Sequence, residues 1–330
     1  MKQNWEQRLQ SAYAAYARAC GKPRRSIRLP NGISFVGEGQ EVQLSLSAEG
    51  VTANMQSNAA AFEGWSLALR RWCGVEAVLQ WAPPPPDATL SQRRHYQRFL
   101  YRAARFQSLF DWFRIESRHA VEVREARALE HPLYLNVGGP RGPELESASV
   151  GDSESALEHR LLTSSEFAAH YNFAHGTRDR QLPVGLFSKE VPSRESQIFP
   201  GGKGAVDLVC LDADTIWLFE LKAGGNIPVG TVTELLFYTS LIRDALHGGP
   251  FTFAHALPDA RIQPDALSKV TRIEGVILGH DVHPLLDSGL ISILNEAVEK
   301  RWNAEPFRAH ARFRADRISE GDELKIVMVD

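Results

Sequence analysis

The chain has 330 residues, of which 43% are hydrophobic and 23% charged. This balance excludes a disordered or collagen-like protein, and no apolar run approaches the length of a membrane-spanning helix. The 37 Lys and Arg against 40 Asp and Glu give a formal net charge of −3, which excludes a nonspecific basic coat for nucleic acid. At about 100–200 residues per domain, the length predicts two domains.

The three cysteines indicate a reduced protein. Cys20, Cys73 and Cys210 are far apart in the chain and form no CxxC or Cys/His spacing. That pattern argues against a disulfide framework and against a thiolate zinc site. The first residues also lack the apolar stretch of a secretory signal peptide. We therefore expect a cytoplasmic protein with no membrane association.

Residues 137–153 show the clearest shift in composition along the chain. Gly, Pro and Ser punctuate this segment and no apolar periodicity crosses it, which is typical of a linker. We therefore predict one domain over 1–140 and a second over 153–330.

The first domain is predicted to be α+β. Segments with apolar residues at helical spacing alternate with short runs that show strand periodicity. The short runs near its beginning suggest a small antiparallel sheet. The predicted elements are a helix over 4–20, strands over Ile33–Val36, Val42–Leu46 and Val51–Met55, a helix over Phe62–Trp72 and a strand over Val75–Trp81.

A stronger helical pattern runs from 91 to about 115. One stripe of this helix is aromatic or apolar, and four arginines line a neighbouring face. The stripe consists of Tyr96, Phe99, Ala103, Phe106, Phe110 and Phe113, and the arginine face of Arg94, Arg98, Arg102 and Arg105. The stripe's spacing favours packing in a core over stacking on bases. The arginines have two interpretations: a surface that binds phosphate groups or, preferred here, the solvated flank of a buried helix.

The second domain alternates helices and strands in the order helix, three strands, helix and strand. It contains no Rossmann fingerprint. It contains no P-loop either, because no Ser or Thr follows Lys203 in its Gly-rich loop. The predicted elements are a helix over 153–170, a strand over Leu186–Val191, a hairpin of Ala205–Leu211 and Thr215–Leu221, a helix over 230–246, a strand over Ile273–Leu278, a helix over 284–301 and strands near 307–315 and 323–329.

Two carboxylates interrupt the apolar strands of the predicted hairpin. Asp207 lies in the first strand, and Glu220 and Lys222 lie two residues apart in the second, so that both project from one face. If the hairpin pairs across its turn, Asp207 comes within reach of Glu220. A carboxylate in a buried strand is unfavourable unless a metal or a partner neutralises it. Carboxylates and a main-chain carbonyl are the hard oxygen ligands that Mg²⁺ or Mn²⁺ prefers.

Asp207, Glu220, Leu221 and Lys222 together resemble the signature of the PD-(D/E)xK nuclease superfamily. The order of elements over about 150–280 is also similar to that family's core. The resemblance implies an α/β protein with a restriction-endonuclease-like core, a mixed central sheet flanked by helices, preceded here by a smaller α+β N-terminal domain. It also implies that Asp207, Glu220 and the Leu221 carbonyl bind Mg²⁺ or Mn²⁺ and that Lys222 acts on the attacking water.

The same resemblance suggests further site residues. Many members add a metal-binding Glu from the first core helix, for which Glu158 is the best match and Glu154, one turn earlier, the competitor. Many also carry Gln-x-x-x-Tyr on the helix after the lysine strand, where this chain has Glu234 and Tyr238 as candidate substrate-binding residues. The chain departs from the pattern in having Val206 where the family has Pro, and a Glu in place of the Gln.

Other candidate residues have an ordinary structural explanation as well. Lys203, just before the first hairpin strand, is a candidate contact for the scissile phosphate. His280 and His283 end an apolar strand, and without a third ligand nearby they are more typical of a loop than of a metal pair. The substrate path has four further candidates, for which surface charge is the simpler interpretation: Arg178, Arg180, Lys189 and Arg194.

The resemblance implies a Mg²⁺- or Mn²⁺-dependent nuclease that hydrolyses phosphodiester bonds of nucleic acid, with DNA preferred to RNA. Asp207 and Glu220 bind the metal in this hypothesis, and Lys222 positions the attacking water. The N-terminal domain is expected to select substrate, to bind a protein partner or to form a homo-oligomer. A noncatalytic nucleic-acid-binding or protein-binding module on the same fold is the alternative.

Overall fold

The protein is a mixed α/β structure in which mixed sheets are flanked by helices. The computed structural model describes residues 4–23, 25–55, 57–127, 132–136, 153–173, 175–200, 204–224, 228–256, 260–306, 308–320 and 324–329. Within these residues, no helix combines the length and the apolar character needed to cross a membrane. The predicted linker at 137–153 lies almost wholly outside them.

The chain divides into two compact units. The first comprises Met1–Leu129, Pro228–Thr233 and His283–Ala297, and the second comprises Glu130–Ile227, Glu234–Val282 and Val298–Asp330. The first unit contains helices α1 (Trp5–Ala19), α2 (Ala48–Thr52), α3 (Phe62–Cys73), α4 (Leu90–Leu109) and α5 (Ala120–Arg127), and strands β1 (Ile33–Val36), β2 (Glu41–Leu46), β3 (Glu76–Trp81) and β4 (Phe113–Ile115).

The sheet of the first unit has the order β1-β2-β3-β4 and is mixed. Strands β1 and β2 run antiparallel, whereas β2 with β3 and β3 with β4 run parallel. The prediction of an antiparallel sheet is therefore wrong beyond the first pair. Helices α2 and α3 join β2 to β3, and a crossover of that length brings the next strand in parallel.

The predicted strand Val51–Met55 is also wrong, because the chain there forms α2 and the turn that follows it. The Ser47 side chain accepts a hydrogen bond from the N–H of Gly50 and so caps the start of the helix. Val51 and Met55 are both buried. A spacing of four residues is compatible with one face of a helix and with one face of a strand, so periodicity does not distinguish the two structures. The cap from Ser47 favours the helix.

Helix α4 ends at Leu109, earlier than the predicted end near 115. Phe110 has an extended backbone, and Phe113 begins β4, where it pairs with Ala77. Both rings are buried, as is Phe106 within the helix, so the aromatic stripe does form core. Phe110 and Phe113, the last two residues of the stripe, lie beyond the helix. They fit the apolar pattern because buried positions are apolar in any backbone conformation.

The arginine face of α4 is not the solvated flank that was preferred from the sequence. Arg94, Arg98 and Arg102 are buried, and only Arg105 of the four is half-buried. The guanidinium of Arg102 binds both carboxylate oxygens of Glu63, at 2.8 and 2.6 Å, and donates to the Ala60 carbonyl at 2.6 Å. A charged side chain remains buried where a partner neutralises it, and periodicity does not reveal such a partner.

The second unit is built around a six-stranded sheet of order β13-β12-β11-β9-β8-β6, with a small sheet of order β10-β5-β7. The first three residues of α8 and most of α10 belong to the first unit. The remaining elements are β5 (Leu133–Leu135), α6 (Glu154–Thr163), α7 (Ser165–Tyr171), β6 (Thr177–Pro183), β7 (Leu186–Phe187), β8 (Ala205–Asp212), β9 (Thr215–Lys222), α8 (Thr231–Ala245), β10 (Phe251–Phe253), α9 (Pro264–Leu267), β11 (Arg272–Gly279), α10 (Ser288–Arg301), β12 (His310–Glu320) and β13 (Leu324–Met328).

The six-stranded sheet is mixed and contains the predicted hairpin. Strands β6, β8 and β9 are antiparallel neighbours, β9, β11 and β12 run parallel, and β13 is antiparallel to β12. The hairpin closes through the pair Asp212 and Thr215, with Ala213 at a φ of 51° in the turn.

Two predictions for the second unit need correction. The strand expected over Leu186–Val191 is only the two-residue β7 in the small sheet, and the first strand of the main sheet is instead β6. β6 is an edge strand rich in charged and polar residues, so it shows no apolar alternation. The helix expected over 153–170 is two helices, because Ser164 ends α6 and caps α7 by accepting from the N–H of Phe167.

Alternation along β8 and β9 places the polar residues of the hairpin on one face. Leu208, Phe219 and Leu221 are fully buried in a core cluster with Leu157 and Phe167 from α6 and α7. Successive side chains of a strand point to opposite faces. Asp207, Glu220 and Lys222 therefore share the other face of the sheet.

Candidate metal centre

Asp207 lies where the ladder between β8 and β9 stops. The last regular pair is Leu208 with Phe219, and one residue further the Asp207 carboxylate accepts the main-chain N–H of Leu221 at 2.8 Å. The N–H and C=O of a strand residue point toward the same neighbouring strand. The Leu221 carbonyl, expected from the sequence to bind metal, therefore points to the Asp207 side of β9.

Glu220 and Lys222 form a buried ion pair. The ammonium of Lys222 donates to Oε1 of Glu220 at 2.7 Å and lies 3.8 Å from Oε1 of Glu154. Glu220 is 1% exposed, and its second oxygen, Oε2, has no hydrogen-bond partner among the described residues. A buried carboxylate oxygen without a donor is strongly unfavourable, which marks this position as one where a cation would be stabilised.

Glu158 lies on α6 and reaches the site through Gln181. The amide Nε2 of Gln181 donates to Oε1 of Glu158 at 2.6 Å and to Oδ1 of Asp207 at 3.5 Å. The guanidinium of Arg180 is 3.9 Å from Oε2 of Glu158. The structure thus brings the predicted Glu158 to the site, with its competitor Glu154 beside Lys222.

Gln181 is a site residue that the sequence did not reveal. Its φ of 52° is in the left-handed region although it lies within β6. Such a conformation in a residue with a side chain costs on the order of 1–3 kcal/mol, and backbone strain of this kind clusters at functional sites. No periodicity or motif signals a positive φ at a Gln in a polar edge strand, so nothing in the sequence pointed to it.

The other predicted substrate-binding residues have different positions. Glu234 is buried in the first turn of α8 and interacts electrostatically with Asp207, Glu220 and Lys222. Tyr238, one turn further, is fully buried beside the ring of Phe237, and its role in substrate binding stays a prediction. Lys203 lies outside the described residues.

The carboxylates of the site resist ionisation. Burial, reinforced by the charge of Asp207, raises the pKa of Glu158 to about 7. Burial also raises the pKa of Asp207 to about 6, although Lys222 and the Leu221 N–H oppose the shift. Burial and the neighbouring charges of Glu234 and Asp207 raise the pKa of Glu220 well above its ordinary value. A cation placed among these groups relieves both the burial cost and the repulsion.

Lys222 stays protonated. Burial alone would lower the pKa of its ammonium, but the carboxylates of Glu220, Glu234 and Asp207 outweigh that effect and raise it above the ordinary value. The side chain is therefore a charged hydrogen-bond donor at neutral pH.

The donor set suits a cation that keeps most of its water. Among the described residues, no group of three or more His, Cys, Asp or Glu side chains is placed so that it could hold a metal ion. Mg²⁺ is commonly bound by one or two carboxylates and several waters. Asp207 and Glu220, with the orphaned Glu220 oxygen and the Leu221 carbonyl, fit that mode, whereas Glu158 is engaged by Gln181.

Two further sets of candidates have structural partners. Nδ1 of His283 accepts the N–H of Leu285 in the turn before α10, as expected of a loop residue. Arg178 donates to the carbonyls of Leu161 and Ser164 and so satisfies the C-terminal end of α6.

Comparison with protein-family models, with curated proteins and with solved structures finds no match to this chain. The functional interpretation therefore depends on the residues and geometry of the site.

Proposed function

We propose that this chain is a Mg²⁺- or Mn²⁺-dependent nuclease with a restriction-endonuclease-like core in its second unit. In the main sheet, α6 and α7 precede β6, β8 and β9, and α8 and β11 follow, which is the order expected of that core. The substrate we propose is nucleic acid, because the residues resemble a nuclease signature, and we propose DNA as the polymer to test first.

The proposal depends most on Oε2 of Glu220, a buried oxygen that has no hydrogen-bond partner among the described residues. This carboxylate is buried beside Asp207 and Glu234, and among the described residues its ion-pair partner is the ammonium of Lys222. Burying like charges together destabilises a fold unless a counter-charge is bound. A structural ion pair alone would not require Asp207 and Glu234 around it. The excess of negative charge is what a divalent cation would offset.

The residues of the chain divide the chemistry between them. Asp207 and Glu220, with the Leu221 carbonyl, would hold the cation; when bound, it supplies Lewis acidity toward the scissile phosphate and acidifies water. Lys222 acts as a charged donor that orients the attacking water and stabilises negative charge on the phosphate.

The first half of the chain supports a polyanionic substrate. Residues 1–140 contain 18 Lys and Arg against 12 Asp and Glu, so the acidic excess of the chain lies entirely in the other half. A locally basic region attracts phosphate backbones even when the whole protein is acidic. We propose that this half selects the substrate or binds a partner.

The test is a cleavage assay on supercoiled plasmid and single-stranded DNA with Mg²⁺, Mn²⁺ or EDTA. Wild type is compared with Lys222→Ala and with Lys325→Ala, which removes an exposed lysine of β13 in the same unit. We expect metal-dependent cleavage that Lys222→Ala abolishes and Lys325→Ala leaves intact. Equal activity in wild type and Lys222→Ala, or no cleavage of DNA or RNA by either, would overturn the catalytic assignment and favour a noncatalytic binding module.

A further inference from the structure

Gln181 interrupts the pairing of the edge strand β6 with β8. Arg180 pairs with Leu208 and Leu182 with Val206, while Gln181, opposite Asp207, is missing from the register and has a φ of 52°. Glycine adopts that φ readily, and a residue with a side chain does not. The edge strand is therefore held in an unfavourable conformation directly opposite a proposed metal ligand.

The side chain of Gln181 connects two carboxylates that belong to different elements. A glutamine amide has two N–H donors on one nitrogen. In this structure that nitrogen donates to Glu158 of α6 at 2.6 Å and to Asp207 of β8 at 3.5 Å. The amide carries no net charge, so it orients both carboxylates without neutralising them. Their negative charge stays available to a cation.

We propose that Gln181 is a positioning residue of the metal site, which holds Glu158 beside Asp207 so that Glu158 contributes its charge to cation binding. This inference rests on the proposed function, because it concerns how the same site takes up its metal. Gln181 acts through Glu158. Its shorter hydrogen bond is donated to Glu158, and the longer one, from the same nitrogen, is donated to Asp207 and so sets the position of Glu158 relative to Asp207.

Two substitutions separate this role from simple support of the edge strand. Gln181→Gly removes the amide and relieves the backbone, so the fold is not placed at risk by strain. Gln181→Asn keeps an amide and tolerates a positive φ, but its side chain is one methylene too short to span both carboxylates. Ala213→Gly is the matched control, since Ala213 has a φ of 51° in the β8–β9 turn and no polar side-chain atom.

The experiment is a calorimetric titration of Mn²⁺ into each metal-free protein, together with its melting temperature. We expect Gln181→Gly and Gln181→Asn to bind Mn²⁺ about 10-fold more weakly than wild type, the lower end of what loss of an outer partner of a metal ligand costs. Each metal-free variant should still melt in a single cooperative transition, so that a loss of Mn²⁺ affinity is not a loss of the fold. Ala213→Gly should bind Mn²⁺ as wild type does.

A double-mutant cycle tests the route through Glu158. Glu158→Gln should weaken Mn²⁺ binding, and adding Gln181→Gly to it should cause no further loss. The inference would be overturned if both Gln181 variants bind Mn²⁺ as tightly as wild type. It would also be overturned if Gln181→Gly costs as much Mn²⁺ affinity in the Glu158→Gln background as in wild type. In both cases Mn²⁺ binding by the wild type would leave the proposed function standing. A wild-type protein that takes up no Mn²⁺ would overturn both.

Discussion

The carboxylate of Asp207 accepts the main-chain N–H of Leu221 at 2.8 Å, one residue beyond the last regular pair of β8 and β9. A side chain of one strand thus replaces a backbone acceptor for the next. Because Leu221 lies between Glu220 and Lys222, this single bond fixes Asp207 relative to both of them. The proposed ligands are therefore held by the sheet, which is more rigid than a loop.

Replacing Asp207 with asparagine tests its charge without removing its hydrogen bond. Asp207→Asn keeps an oxygen that can accept the Leu221 N–H. We expect a folded protein whose cleavage rate in Mg²⁺ falls by at least about 100-fold, because loss of a metal ligand should cost at least as much as the roughly 10–100-fold that loss of a ligand's outer partner costs. Melting temperature and initial rate are measured on the same preparation. Asp212→Asn, at the other end of β8, is the control, and an equal loss there would point to a general effect of the strand.

The raised pKa values of the site carboxylates predict a pH-dependent stability of the metal-free protein. The pKa of Asp207 is about 6 against an ordinary 3.8, and that of Glu158 about 7 against 4.5. The folded state therefore holds these protons more tightly than the unfolded state. This contribution to stability is fully present below about pH 4 and is lost as the pH rises through 6 and 7. We expect the melting temperature in EDTA to fall from pH 5.5 to pH 8 through this contribution.

Comparing wild type with Glu158→Gln isolates the contribution of Glu158 to the pH dependence of stability. His95 titrates in the opposite sense, because burial and Arg98 lower its pKa to about 4, and both proteins share that contribution. Glu158→Gln should gain stability relative to wild type as the pH rises toward 8. A constant difference between the two proteins across this range would contradict the assigned pKa shift.

Divalent cations should stabilise the protein more strongly at high pH. Asp207 must be ionised to bind metal, and Glu158 beside it contributes its charge only when ionised, so metal binding releases protons from both when the pH is below their pKa values. We expect Mn²⁺ to raise the melting temperature more at pH 8 than at pH 5.5. At 100 times its dissociation constant a ligand adds about 2.7 kcal/mol of stability. The same shift in Asp207→Asn would place the cation elsewhere.

The buried pair of Arg102 and Glu63 should matter for stability. Both side chains are 3% exposed, and their closest atoms are 2.6 Å apart. Arg102→Leu leaves Glu63 buried without its cation, and we expect a loss of about 3–5 kcal/mol in unfolding free energy by chemical denaturation. Adding Glu63→Gln should recover a large part of that loss. A small effect of Arg102→Leu would revive the interpretation of this face as a solvated surface.

The candidate site was predictable where its residues broke a clear pattern. Asp207, Glu220 and Lys222 are polar positions in apolar strands, and the strand period of two places them on one face of the hairpin. Glu158 followed only from the family resemblance. Gln181 was not predictable, because a positive φ in a polar edge strand leaves no trace in composition or period.

The fold was predicted least well where hydrogen bonds and ion pairs of individual side chains, rather than periodicity, determine the local structure. Arg102 lies on a charged helical face, yet Glu63, 39 residues away, neutralises it in the interior. Val51 and Met55 fit a strand or a helix equally, and the cap from Ser47 selects the helix. Long-range pairing acts outside the window in which periodicity is measured, whereas the Ser47 cap is a local signal that periodicity alone does not include.

The rate of plasmid cleavage as a function of Mg²⁺ concentration shows whether Asp207 and Glu220 hold a divalent cation for phosphodiester hydrolysis. We expect a saturable dependence in wild type, no cleavage in EDTA, and loss of the Mg²⁺ response in Asp207→Asn and Glu220→Gln. Cleavage that persists in EDTA, or a wild-type response in either variant, would contradict this metal assignment.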